Sequence, residues 1–289
     1  MRIGFHTDAF NSAVFSFEKC LAWANRNDVH AIECGVIDGV SWIHGLGYFP
    51  HVSLVEDPAL LREKMHRYGV AFSQVDAAYP LSGRDGPLYG VPYVLKTIPW
   101  AKLAGCPSVA TTDGLHRPEG MSDPEALEAM KRSYGLILET AEAHGIDITI
   151  EIHGYFTTKP ELVEKMLDFA RSDRLGLNFD TGNSFIAGND PVEFCRRFLK
   201  RVKHVHIKDV SESLAQAARG KETGIGISHS AIGEGVNAPN IQKILALLRD
   251  GGYNGTLSLE CEGQGGPLIE RSLAWLRGTL RALGIPEER

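Results

Sequence analysis

The chain is expected to be an α/β protein, a single-domain (β/α)8 barrel over residues 1–289, and three observations predict it. Short strand-like runs recur near residues 2–7, 29–34, 70–76, 107–112, 147–153, 174–180, 202–208 and 255–261. Helical stretches fall between most of them, and ionisable side chains collect where several of the runs finish. A doubly wound open sheet would show the same alternation. The barrel is preferred because it gathers its chemistry at the C-terminal ends of its strands, where these polar residues stand.

Taken in order, the first run, Arg2-Ile3-Gly4-Phe5-His6, follows Met1 with no signal-like apolar segment, so the cytoplasm is the expected compartment. The second carries Ile32-Glu33, the third ends at Asp76 and the fourth at Asp113. Ser122-Asp123-Pro124-Glu125 has the form of a capping box with proline in the first turn. Behind it Leu127, Met130, Tyr134, Ile137 and Ala141 recur at helical spacing until Gly145 stops the helix. Thr158-Lys159-Pro160-Glu161 has the same capping form, and Ile241, Ile244, Leu245 and Leu248 make a later stripe closed by Gly251-Gly252. Two connections, 35–57 and 209–237, exceed what barrel loops need, which suits lids or binding walls. No linker, repeat or composition break divides the chain.

A 43% apolar fraction is ample for one large core. No apolar stretch is long enough to cross a bilayer, so no membrane association is expected. The five cysteines are scattered and never form Cys-x-x-Cys, which argues for reduced thiols and against a cysteine zinc site. A formal net charge of -6 without a basic block argues against a nucleic-acid partner.

Four successive runs in the second half deliver metal-type ligands: Ile-Thr-Ile-Glu151-Ile-His153, Leu-Gly-Leu-Asn-Phe-Asp180, Val-Lys-His204-Val-His206-Ile-Lys208 and Leu-Ser-Leu-Glu260-Cys-Glu262. Residues two apart in a strand share a face, so Glu151 with His153, and His206 with Lys208, point the same way. One carboxylate at a strand end is more often a cap or ion-pair partner; four ligand-bearing ends in a row point to a divalent metal site. Oxygen-rich coordination with one imidazole suits Mn2+ first, with Mg2+, Co2+ or Zn2+ as alternatives.

With Ile32-Glu33, Glu151, Phe179-Asp180-Thr-Gly-Asn183, His204-Val-His206-Ile-Lys208-Asp209, Ile232-Gly-Glu234-Gly235 and Glu260, essentially the whole chain resembles the xylose isomerase-like TIM barrel superfamily. That group includes sugar isomerases and epimerases, inosose-processing enzymes and endonuclease IV. The resemblance implies Glu151, Asp180, His206 and Glu260 as ligands of one metal ion, with Glu151 and Glu260 also acting as catalytic bases. Asn183 stands where many of these epimerases and nucleases carry histidine, which speaks against a trinuclear zinc cluster and a nuclease.

A divalent ion beside a carbonyl makes the neighbouring C–H acidic through an enediolate, so a sugar or polyol-ketone isomerase or epimerase is the expected activity. His153, on the same face as Glu151, is a candidate third catalytic residue. As an acid it would convert the reaction to elimination from a 3-oxo sugar or inosose, in the manner of C-glycoside deglycosidases. A non-catalytic partner subunit is a further alternative. His6, Glu33, Trp42, Asp113, Asn183, Lys208, His229 and Glu234 are candidate substrate contacts, with Trp42, His44, Tyr48, Phe49 and His51 as an aromatic platform for a small sugar or cyclic polyol. Homo-oligomers are common among such barrels.

Overall fold

Strand alternation and buried aliphatic runs close the chain into a ring of parallel strands in the computed structural model, which describes residues 1–10, 16–38, 50–221, 223–263 and 265–288. The strands are β1 (Arg2–His6), β2 (Ala31–Ile37), β3 (Val52–Ser53), β4 (Ala71–Pro80), β5 (Ser108–Thr112), β6 (Asp147–Glu151), β7 (Leu175–Asp180), β8 (Val202–Ile207) and β9 (Thr256–Leu259). Eight of them form the barrel in the order β1-β2-β4-β5-β6-β7-β8-β9. β1 closes it by pairing with both β2 (Gly4↔Ala31) and β9 (Gly4↔Ser258). The short β3 lies outside the ring on the end of β2, at Val36↔Val52.

Parallel strands covered by helices are buried on both faces, and all residues of β5, β7 and β9 are buried here. Outside the ring, the helix Asp123–His144 lays Ala126, Met130, Tyr134, Ile137 and Ala141 against the barrel. Tyr134 packs without exposure and its hydroxyl meets Thr111 Oγ1 of β5 at 2.8 Å. The Ser122 capping box forms, and Gly145 at φ 68° ends that helix in the left-handed conformation glycine adopts without strain. Ile241, Ile244, Leu245 and Leu248 are the buried stripe of Ala238–Asp250.

The second expected capping box does not form. The helix begins at Pro160 with Lys159 in the capping position and no side-chain bond, because the Thr158 hydroxyl donates back to the Tyr155 carbonyl at 3.2 Å. Strands β2 and β4 also run farther than the sequence pattern shows, to Ile37 and Pro80, which places Glu33 and Asp76 within strands. All five cysteines are buried free thiols. No helix among the described residues is long and apolar enough to cross a membrane.

Candidate metal centre

Glu151 ends β6, Asp180 ends β7, His206 sits in the last turn of the pleat in β8, and Glu260 follows β9. Each offers one ligand atom, and the four atoms lie within 4.8 Å of one another, all in buried residues. His206 Nδ1 is 2.8 Å from Glu260 Oε2, 3.5 Å from Glu151 Oε1 and 3.9 Å from Asp180 Oδ2, so this nitrogen faces the three acids. Asp180 divides its oxygens: Oδ1 caps the helix Thr181–Ile186 by accepting from Gly182 N at 2.7 Å and Asn183 N at 2.8 Å. Its Oδ2, like Glu260 Oε2, is buried without a hydrogen-bond partner. Two orphaned carboxylate oxygens, a third carboxylate and an imidazole nitrogen in one buried space are the donor set of a divalent cation.

Gathered this closely, the buried groups of the quartet perturb one another. Burial and then the neighbouring Glu260 push Asp180 well above the usual carboxylate range. Burial alone would raise Glu151 too, but the His153 and His206 imidazoles outweigh it and bring the group down to about 2. For His206, burial opposes the charged form, while Glu33 and Glu260 together lift it well above an ordinary histidine.

The other ring nitrogen of His206 is held from below. His206 Nε2 meets Glu33 Oε2 at 2.8 Å, and Glu33 is fully buried inside the barrel. Gln74 Nε2 donates to Glu33 Oε1 at 2.8 Å, while Gln74 Oε1 accepts from Ser108 Oγ at 2.9 Å and from Thr149 Oγ1 at 2.8 Å. Burial would raise Glu33, yet His206 and His204 hold it well below the usual range. Anionic Glu33 therefore stands beneath His206 and holds a proton on Nε2, leaving Nδ1 as the nitrogen turned to the three acids, in the manner of a carboxylate–histidine–metal arrangement. His204 completes this floor with Nδ1 3.1 Å from Asn178 Oδ1, and burial brings it down to about 4, hence neutral.

His153 lies beside the quartet, its Nδ1 3.5 Å from Glu151 Oε1 without a hydrogen bond and its Nε2 2.9 Å from Thr112 Oγ1. Burial opposes its charged form, but Glu151 and then Asp113 raise it. Asp113 has both oxygens engaged, accepting from Phe156 N at 2.7 Å and from Thr157 Oγ1 at 2.9 Å, so it braces the turn that carries His153. Asn183 is buried with Oδ1 unpartnered. His6 is buried, its ring 5.9 Å from that of His206. Lys208, 1% exposed, places Nζ 3.4 Å from Glu260 Oε1 and against Glu262.

Glu234 is half-exposed and pairs with Arg271 at 2.6 Å, away from this cluster, and His229 is exposed with a positive φ of 50°. Trp42, His44, Tyr48 and Phe49 lie outside the described residues; His51 is half-buried. The 209–237 connection contains the helix Glu212–Ala218 and then returns to the strand ends: Gly224 N donates to the His153 carbonyl at 2.9 Å, and Ser228 N to Glu262 Oε2 at 3.4 Å. Asp209 draws the Gly-Glu-Gly turn inward by accepting from Gly233, Gly235 and Asn237 amides.

Sequence reasoning passed over Asp8, Thr112, Gln74 and Asn178. Asp8 stands two residues past His6, a spacing that flagged other pairs; Thr112 and Gln74 carry no such mark, being common residues whose role arises only from partners in other strands.

The sequence pattern of the xylose isomerase-like TIM barrel family matches residues 22–279. The chain is similar to the rhizopine catabolism protein MocC of Rhizobium meliloti, 32% identical over 165 residues, 54% of this chain and 50% of that protein. It is also similar to the inosose dehydratase of Bacillus cereus strain AH820, 24% identical over 220 residues, 74% of this chain and 64% of the relative. The matches thus span half to under two thirds of these proteins' lengths. Among solved structures, a D-tagatose 3-epimerase-like protein superposes with a TM-score of 0.77 at 22% identity over 98% of both chains, a likeness of fold. A closed eight-strand parallel ring and a family pattern spanning most of its length establish that this chain belongs to the xylose isomerase-like TIM barrel family.

Proposed function

We propose that the protein is a divalent-metal-dependent isomerase or epimerase that removes and returns a proton next to the carbonyl of a sugar or cyclic polyol ketone. The observation that carries this reading is the buried quartet Glu151, Asp180, His206 and Glu260, with its ligand atoms within 4.8 Å of one another. A divalent ion there, Mn2+ being the first to test, supplies Lewis acidity that makes a C–H beside a carbonyl abstractable. Glu151 and Glu260 come from β6 and the end of β9, three places apart around the ring, so the two carboxylates flank a ligand from two sides. One takes the proton and the other returns it on the opposite face, giving epimerisation; a single carboxylate doing both gives aldose–ketose isomerisation. Asn183 Oδ1, buried and unpartnered, is an acceptor for a substrate hydroxyl.

A second reading, elimination of water from an inosose or a related 3-oxo sugar, is favoured by His153. Thr112 Oγ1, which accepts from Gly114 N at 3.1 Å, meets His153 Nε2 at 2.9 Å and holds the ring with its unpartnered Nδ1 toward Glu151, where a protonated Nδ1 would serve a departing hydroxyl. The dehydratase name of one relative supports the same reading.

Incubation of the Mn2+-loaded protein with ketoses and inososes in D2O separates the two. Deuterium incorporation with the carbon skeleton and hydroxyls retained is expected of an isomerase or epimerase, and loss of water of a dehydratase. Glu151→Gln and Glu260→Gln are each expected to lower turnover about 10²–10⁴-fold, the usual contribution of a positioned base. Unchanged turnover in both variants would sink both readings.

A further inference from the structure

A second acidic group adjoins the quartet and shares Glu260 with it. Asp8, Glu260 and Glu262 present carboxylate oxygens within 4.8 Å of one another, all in buried residues. Asp8 is 1% exposed, and neither of its carboxylate oxygens has a hydrogen-bond partner. His6 Nδ1 lies 3.2 Å from Asp8 Oδ1, on one edge of that carboxylate. Burying three carboxylates this closely is costly unless a cation or a proton offsets their charge.

The side chain that enters this space is Lys208. Its ammonium is 3.4 Å from Glu260 Oε1 and in contact with Glu262 Oε1. Its backbone is fixed on both sides by Thr181, whose Oγ1 accepts from Lys208 N at 2.9 Å and donates to Lys208 O at 3.0 Å. The alkyl chain passes directly over Gly182, where a Cβ would sit 2.5 Å from Lys208 Cγ. Chain path and headgroup are therefore both held in place. An ammonium is a compact charge with three donors, and two of the three carboxylates, Glu260 and Glu262, are its direct neighbours.

We infer that the Lys208 ammonium takes the place of a second divalent ion: Asp8, Glu260 and Glu262 form a cation pocket with a resident side chain, and the centre holds one metal ion per chain. Glu260 is the shared wall, turning Oε1 to Lys208 and Oε2 to the quartet, so the lysine also fixes which oxygen faces the metal position. This rests on the metal reading proposed above.

Lys208→Met keeps the length and bulk of the side chain and removes its charge. After equilibrium dialysis against Mn2+ and elemental analysis, the wild-type chain is expected to hold one ion and Lys208→Met two, with Asp8→Asn added to Lys208→Met returning the count to one. Two ions in the wild type, or one in a folded Lys208→Met, overturns the inference while leaving the quartet intact as a metal site. No ion in the wild type overturns the metal reading itself, and the inference with it. Loss of the ammonium can also unfold the chain, so thermal unfolding of Lys208→Met is followed across Mn2+ concentrations. Recovery of the fold with Mn2+ is expected, because the ion replaces the ammonium; a variant that stays unfolded in saturating Mn2+ counts against it.

Discussion

Glu33→Gln tests whether the floor of the barrel sets the metal affinity above it. Gln74 cannot turn to suit the change, because its Oε1 is held by both Ser108 and Thr149 and its amide nitrogen must face residue 33. A glutamine at 33 then has two choices. With its oxygen toward Gln74, its amide faces His206 Nε2, makes that nitrogen an acceptor, and puts the ring proton on Nδ1, the nitrogen that faces Glu151, Asp180 and Glu260. With its oxygen toward His206, two amide groups meet at 2.8 Å and one donor is lost. The second arrangement forfeits one buried hydrogen bond, about 1–3 kcal/mol; the first keeps both but leaves the ring proton on the nitrogen that faces the metal position, and both remove the negative charge that supports His206. Loss of such outer partners weakens metal binding roughly 10- to 100-fold. Calorimetric titration of Mn2+ into the metal-free protein is the assay, with circular dichroism to show that the fold is kept. A folded variant whose Kd lies within about threefold of the wild type refutes the reasoning.

Two further outcomes follow from the same geometry. Mn2+ at about 100 times its Kd should add about 2.7 kcal/mol to unfolding stability, seen as a rise of several degrees in Tm that EDTA reverses; a Tm indifferent to both would mean that the quartet binds no ion. Thr112→Val removes the hydroxyl that serves both Gly114 N and His153 Nε2, at a cost of about 1–2 kcal/mol in urea unfolding. If His153 acts as the acid of an elimination, this variant loses water release more than solvent exchange of the substrate C–H, and equal losses would exclude that role.

The four strand-end side chains that cluster were legible because their signal is local. Glu151, Asp180, His206 and Glu260 each close a short alternating run, and a run of that kind fixes both the strand and the side its last residue faces. Glu33 shows where such reading stops. Gly35-Val36-Ile37 carries β2 beyond the expected run, and this places the Glu33 carboxylate in the interior, under His206, rather than at the rim. No local pattern distinguishes those two positions. Thr158 failed for a related reason: its hydroxyl has a nearer acceptor in Tyr155 O than the helix that follows. Contacts such as Thr112 with His153, or Glu33 with His206, join residues 41 and 173 positions apart, and only closure of the ring brings them together.

The polar layer beneath the metal position binds five strands into one circuit, from Ser108 and Thr149 through Gln74 and Glu33 to His206. Substitutions along it cannot act independently. Ser108→Ala frees one lone pair of Gln74 and loosens the amide that makes Glu33→Gln so costly, so the double variant should lose less than the sum of the two singles. Mutational tolerance inside this barrel is thus set by epistasis: a residue chosen at one strand narrows what neighbouring strands accept, and drift in the interior must proceed through pairs rather than single steps.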